Sequence, residues 1–276
     1  MRNYCTLSDS NYLKQGEALI RSLDKVSSEI FRIYYLCLDE ETYDKVSNYD
    51  CVIPIRLSEV ENSRKAIVEF KNTKPYREYC WSLASTFSRY LLENSIVSSV
   101  MYVDSDIYFY QDPIIIFNEL GDKSIGIIRH RHNTSSSPDG EYNVGIIFFK
   151  GDTTGLECLM WWNDCLLQES RPDLATCGDQ KYLEEFPKKW DIAILDKTFA
   201  HGAPWNYRLY VYDTLYLDGN IIWGQQVQPF VFNHFSKFSF DHPTSGQYLD
   251  HTLNSQVFTI PVIRRMYMDY AKELLK

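Results

Sequence analysis

The sequence predicts an α/β fold: a mostly parallel, Rossmann-like central sheet flanked by helices. Three observations predict it. Residues 2–55 alternate strand-like and helix-like runs. The run Val100 to Phe109 is an apolar, β-rich stretch carrying Asp104 and Asp106 at its carboxyl edge. Strand and helix patterns go on alternating well past that run.

Arg2 to Leu7 reads as the first strand, and Ser8-Asp9-Ser10 as a turn and N-cap cluster. Tyr12 to Leu23 has helical spacing through Leu13, Ala18, Leu19 and Leu23. Phe31 to Leu38 is a second buried strand, Tyr43 to Val46 a short helix, and Cys51 to Ile55 a third strand. Such a β-α-β-α-β start opens a nucleotide-binding half-sheet. Helices over Glu59 to Phe70 and Tyr79 to Leu92 lead into the strand before Asp104. Next come a strand at Ser124 to Arg129, a polar loop at Asn133 to Gly140 and a strand at Tyr142 to Lys150. A helix at Thr153 to Gln168, a short helix at Gly178 to Glu185 and a strand at Ile192 to Leu195 follow. Beyond Trp205 the pattern is irregular until a terminal helix, Pro261 to Lys276. With no repeat, low-complexity tract or linker, the chain reads as one continuous domain, 1–276. Within it, 1–110 is the nucleotide-binding half, 111–260 the sugar and acceptor half, and 261–276 the C-terminal helix.

The composition is that of a soluble globular protein, with 45% apolar and 24% charged residues. A formal net charge of −9 argues against wrapping nucleic acid. The seven cysteines are odd in number and show no Cys-x-x-Cys, so they read as free thiols of a reducing compartment. No signal-peptide pattern opens the sequence and no apolar run reaches transmembrane length, so a cytoplasmic location is expected. No Gly-x-Gly-x-x-Gly or P-loop occurs, which disfavours dinucleotide enzymes and P-loop NTPases.

Ligands of open α/β sheets bind outside the carboxyl ends of the strands. Two carboxylates one residue apart at such an end repel each other unless a cation lies between them. A hard divalent ion takes oxygen ligands and bridges to substrate phosphates. Asp104 and Asp106 therefore point to a Mg²⁺ or Mn²⁺ site that holds a diphosphate. The plainer alternative is that one of them caps the turn running to Asp112-Pro113.

Seven short motifs stand in order along the chain: Cys5-Thr6-Leu7-Ser8-Asp9-Ser10-Asn11-Tyr12, Tyr79-Cys80-Trp81-Ser82, Tyr102-Val103-Asp104-Ser105-Asp106, Tyr142-Asn143-Val144-Gly145, Gly178-Asp179-Gln180-Lys181-Tyr182-Leu183, Ala203-Pro204-Trp205-Asn206 and Asn233-His234-Phe235. Together they resemble the GT-A glycosyltransferases that use nucleotide-diphospho-sugars, and within them the retaining group that includes glycogenin and bacterial lipooligosaccharide galactosyltransferases. The resemblance implies a UDP-sugar donor, a glycan or lipid-linked glycan acceptor and a role in bacterial surface glycan synthesis. It implies that Thr6, Leu7, Asp9 and Asn11 hold the uracil and ribose, with Ser105 near the ribose. Capping and turn formation are the other reading of Asp9 and Asn11. It further implies that Asp104, Asp106 and His234 ligate Mn²⁺ or Mg²⁺, imidazole being an acceptable ligand for a borderline ion. Asn143, Asp179 and Gln180 would meet the donor sugar, Gln180 on the β-face of the anomeric carbon. His130 and Asp139 line the same mouth, and Trp205 and Asn206 suggest an acceptor platform.

The chain departs from the family pattern in two places. Ser236-Lys237-Phe238 follows His234 in place of a Gly and a Lys-Pro-Trp, leaving Lys237 as a diphosphate partner or a surface lysine. Ala84 occupies the usual position of a basic residue, with Arg77 and Arg89 the nearest candidates. A haloacid-dehalogenase phosphatase would place its Asp-x-Asp earlier, and a nucleotidyltransferase would open on a Gly-rich, Arg-containing loop. A non-catalytic nucleotide-sugar-binding protein or assembly subunit is the remaining alternative. The terminal helix carries an apolar stripe, Ile263, Met266, Tyr267, Tyr270 and Leu274, beside Arg264, Arg265, Lys272 and Lys276. It either docks on the core or makes a peripheral membrane contact.

Overall fold

The computed structural model describes residues 1–132, 140–171, 173–174, 178–211, 220–223, 226–238 and 260–276. It begins with β1 (Arg2–Ser8), α1 (Leu13–Val26), β2 (Phe31–Cys37), α2 (Glu40–Val46) and β3 (Val52–Arg56). Three helices, α3 (Leu57–Ser63), α4 (Lys65–Thr73) and α5 (Tyr76–Glu93), lead to β4 (Ser99–Val103) and, after a turn, β5 (Ile107–Phe109). Then come α6 (Ile114–Leu120), β6 (Ile125–Arg129), β7 (Tyr142–Lys150) and α7 (Thr153–Leu167). A 3₁₀ turn at Lys181–Glu185 runs into α8 (Phe186–Lys189), then β8 (Ala193–Ile194), β9 (Ala200–Gly202), β10 (Tyr210–Val211), β11 (Asn220–Trp223), β12 (Gln226–His234) and α9 (Pro261–Leu274).

Seven strands form the central sheet in the order β3-β2-β1-β4-β7-β6-β8. Strands β1 to β4 are parallel, as are β6 and β8; β7 runs antiparallel to β4 and β6. The mostly parallel sheet expected from the sequence is present. Its inner strands are covered on both faces, which is why they read as nearly continuous apolar runs. Cys5, Phe149 and Trp162 pack with Leu83 and Phe87 of α5 on one face. Tyr4 and Phe148 pack with Leu19 and Leu23 of α1 and Phe117 of α6 on the other.

The structure corrects three expectations. The single helix over Glu59 to Phe70 is two, because Arg64 is extended (φ −146°, ψ 100°) and sends its guanidinium to Asp164 of α7. Helix α1 begins after Tyr12 with no side-chain cap, so Asp9 does not cap it. The stretch beyond Trp205 is not irregular throughout: a second sheet runs β10-β11-β12-β5, with β9 beside β12. Pro229 lies inside β12 opposite Asn220, and a proline in a run reads against a ladder. For the terminal helix the structure shows the docked reading: the apolar stripe of α9 is buried in a cluster with Phe235 and Phe238, and Tyr270 stacks on Phe235 at 3.8 Å. Arg21 of α1 pins the same helix through Glu273 at 2.6 Å. Among the described residues no helix is long and apolar enough to cross a membrane.

Candidate active site

The strand directions bring the site residues to one edge. The ends of β1 and β4, the end of β6 and the start of the antiparallel β7 all lie there. Between Ile127 and Ile128 the β6–β7 register shifts, so that Ile127 faces Ile147 but Ile128 faces Asn143. This bulge re-aims Asn143, while on the β4 side the Gly145 carbonyl accepts the Asp104 N–H at 2.9 Å. The second sheet adds the end of β12, where His234 pairs with Ile107 and the Phe235 N–H donates to the Asp106 carbonyl.

Asp104, Asp106 and His234 therefore converge from two sheets. His234 Nε2 lies 3.0 Å from an Asp106 oxygen and 3.6 Å from an Asp104 oxygen. One ligand atom from each residue lies within 4.8 Å of the others. Burial, reinforced by Asp106, pushes the Asp104 carboxyl above its ordinary pKa, with His234 opposing. Burial disfavours imidazolium at His234, but the two carboxylates outweigh it and raise its pKa. Two carboxylates and an imidazole, partly buried and short of positive charge, suit a divalent cation as a donor set. Gly145 is required for this packing: a Cβ there would lie 2.9 Å from His234 Nδ1 and 2.5 Å from Asn143 Oδ1.

Sequence reasoning missed Tyr102, whose hydroxyl donates to Asp104 Oδ1 at 2.8 Å. The signal was there, since residues two apart on a strand share a face. It also missed Tyr76, whose hydroxyl donates to Asp9 at 3.1 Å.

At the nucleotide end, the Asp9 carboxylate accepts from the Asn11 backbone and side chain, while Asp39 holds the loop by accepting the Ser10 N–H at 2.7 Å. Tyr12 and Tyr76 are exposed beside them. Thr6 is fully buried and Ser105 nearly so, whereas Leu7 packs partly into the core. The Thr6 hydroxyl, near the carboxyl end of β1, is buried with no hydrogen-bond partner among the described residues. Of the basic candidates, Arg89 is buried and spent on Glu93 and Asp164. Arg77 is exposed and lies 4.4 Å above the Trp81 ring. Lys237 is exposed with φ +58°, three residues past His234.

At the sugar end, Gly178 turns the chain with φ +63° under Trp81, where a Cβ would sit 2.6 Å from the ring. Asp179 follows, buried, its carboxyl raised well above the ordinary range by burial and then by Asp104. The Gln180 side chain, half-buried, accepts from Asn143 at 2.7 Å. His130 is not at the mouth as expected but behind Asn143, 3% exposed. Burial, with His132 adding, lowers its pKa to about 3. Trp205 spends its N–H on the His130 carbonyl at 2.9 Å and packs edge-to-face on His234 at 5.3 Å. Asn206 is fully buried and both ends of its amide are bonded to backbone, so it offers nothing to an acceptor. Asp139 lies outside the described residues.

Known proteins share this fold. The fold matches the galactosyltransferase LgtC, solved with donor and acceptor sugar analogues, at TM-score 0.61 and 14% identity, over 99% of this chain and 96% of that one. It matches the Streptococcus pneumoniae TIGR4 glycosyltransferase GlyE at TM-score 0.58 and 18% identity, over 99% of this chain and 63% of that one. Mouse xyloside xylosyltransferase 1 matches at TM-score 0.55 and 15% identity, over 86% of this chain and 98% of that one. These likenesses establish the GT-A fold. In sequence, the Bacillus subtilis (strain 168) protein YfnF, itself uncharacterised, is 28% identical over 99% of this chain and 92% of its own length. Residues 30–258 match the family described as nucleotide-diphospho-sugar transferase, and the chain belongs to that family.

Proposed function

We propose that the protein transfers a hexose from a UDP-sugar to an acceptor hydroxyl, with retention and with dependence on Mn²⁺ or Mg²⁺. The observation that carries this reading is the Asp104–Asp106–His234 cluster, within 4.8 Å, at the ligand-binding edge of a GT-A sheet. The three residues would hold the cation, and when bound it would offset charge developing on the leaving diphosphate.

The chain's own groups do the rest. Asp9, Asn11, Tyr12 and Tyr76 form the rim for base and ribose, with Leu7 and Ser105 below it. Arg77, parked on Trp81, is the cation free to swing onto the diphosphate, and Lys237 is a second. Asn143, Asp179 and Gln180 face the sugar. Inversion would need an ionised base on the far face. Asp179 is the carboxyl there, and burial and Asp104 raise its pKa, which works against its ionising as that base and favours retention. The acceptor is a glycan or lipid-linked glycan, in keeping with bacterial surface glycan synthesis and a cytoplasmic enzyme.

The alternative is a protein that binds the nucleotide-sugar without turning it over. UDP release measured against a panel of UDP-sugars, with water and mixed glycans as acceptors, separates the two. Cation-dependent release with one preferred donor supports transfer. Tight UDP binding with no release from any donor would leave a binding protein.

A further inference from the structure

A chain of four hydrogen bonds ends at the sugar face of the site, and its direction can be read from backbone groups alone. At one end the Gly140 carbonyl, which can only accept, lies 3.0 Å from His130 Nδ1. His130 must therefore carry its proton on Nδ1. Its Nε2 is then a lone pair, and it lies 3.0 Å from Asn143 Nδ2. At the other end the Gly145 N–H, which can only donate, reaches Asn143 Oδ1 at 2.9 Å. Both ends independently give the Asn143 amide the same orientation.

The second Asn143 Nδ2–H then points at Gln180 Oε1, 2.7 Å away, and the Val144 backbone N–H reaches the same oxygen at 3.4 Å. Flipping Gln180 would set its NH₂ against two donors. Flipping Asn143 would set its NH₂ against the Gly145 N–H and its oxygen against a lone pair. Asn143 and His130 are 4% and 3% exposed, so water does not relieve a wrong orientation. Gln180 alone is half-open, and its side chain also neighbours the His130 ring.

We propose that His130 is a positioning residue which, through Asn143, locks Gln180 with its oxygen turned inward, so that Gln180 offers the donor sugar an N–H and not a nucleophilic oxygen. The proposal rests on the sugar-transfer reading above and deepens it. The group recognised is an acceptor on the sugar, a hydroxyl or ring oxygen near the anomeric carbon. A covalent glycosyl intermediate on Gln180 is then excluded, because the only atom able to form it already accepts two hydrogen bonds. His130 touches no substrate; it acts by tautomer.

Two measurements test this, and the first needs no turnover. The full chain labelled with ¹⁵N-histidine, with His130 assigned by His130→Gln, should show this ring as the neutral Nδ1–H tautomer at pH 7. An Nε2–H tautomer or an imidazolium would overturn the relay. The second uses the UDP-sugar that the wild type turns over. Gln180→Ala and Gln180→Glu should lower kcat to a similar degree, on the order of 10²-fold, with UDP affinity in Mn²⁺ unchanged, since neither variant donates. Near-wild-type kcat in Gln180→Glu would mean that the oxygen is the working atom. His130→Leu should lower kcat without moving UDP affinity, and His130→Gln, which can both donate and accept, should restore it. A kcat equally low in both would reduce His130 to packing. If the wild type turns over no donor, the transfer reading fails while the tautomer result still decides the relay.

Discussion

Gly145 has no side chain, and the site depends on that. A methyl group there would press on His234 Nδ1 and Asn143 Oδ1 together, and both are buried with little room to move. Gly145→Ala is expected to fold but to need at least about tenfold more Mn²⁺ for UDP binding, a cost of ~1.4 kcal/mol. An unchanged Mn²⁺ requirement in calorimetry would show that the ring has space to give. Asp179 makes a prediction of opposite sign. Its folded pKa is raised above the unfolded value of about 3.9. Below about pH 3.9 the carboxyl is protonated in both states. Above it the unfolded chain ionises freely while the folded chain retains its proton, so stability falls as pH rises. Asp179→Asn removes that loss. It should melt higher than wild type at pH 7, by ~2–4 °C for each kcal/mol regained, and level with it near pH 3.5, both without added cation. A lower melting point at pH 7 would mean the carboxylate is bound and ionised. At this scale the sequence was informative about Asp104, Asp106, His234 and Gln180. It put His130 at the mouth and not behind Asn143, since a histidine behind an asparagine looks no different in sequence from one at the surface.

The elements differ in how much of themselves they reveal. The strands of the central sheet are legible because burial on both faces writes an apolar run into each. The second sheet is not, because β5 and β9 are only three residues long and Pro229 interrupts the pattern of β12. That sheet matters, since β12 carries His234 to the Asp-x-Asp turn. Helix α9 in turn covers Phe235 and Phe238 just beyond His234. Five of its buried side chains, at roughly 1.5–3 kcal/mol each, rival the ~5–15 kcal/mol that holds a typical domain together. Deleting residues 261–276 should therefore unfold the protein or lower its melting point by more than about 10 °C, and the intact chain should not sediment with anionic vesicles. A stable truncated protein that lost vesicle binding would restore the membrane reading. On α5, Arg77→Ala should raise the KM for the UDP-sugar about tenfold with kcat little changed, whereas an unchanged KM would pass the diphosphate to Lys237.

The molecule as a whole carries a net charge of −9 and gathers two of its acids, Asp104 and Asp106, in one small space. A diphosphate brought there alone would meet repulsion in a site that burial has partly dried, where charges interact more strongly than in water. The cation is thus the condition for donor binding as well as a part of the chemistry. That whole-molecule balance was visible in the composition; the contribution of the second sheet to it was not. The most direct test is calorimetric titration of UDP into the full chain with Mn²⁺ and then with EDTA, alongside Asp106→Asn. The account predicts binding in Mn²⁺ that weakens by about 10²-fold or more, ~2.7 kcal/mol, in EDTA, and the same loss in Asp106→Asn even with Mn²⁺ present. Equal UDP affinity under all three conditions would contradict it.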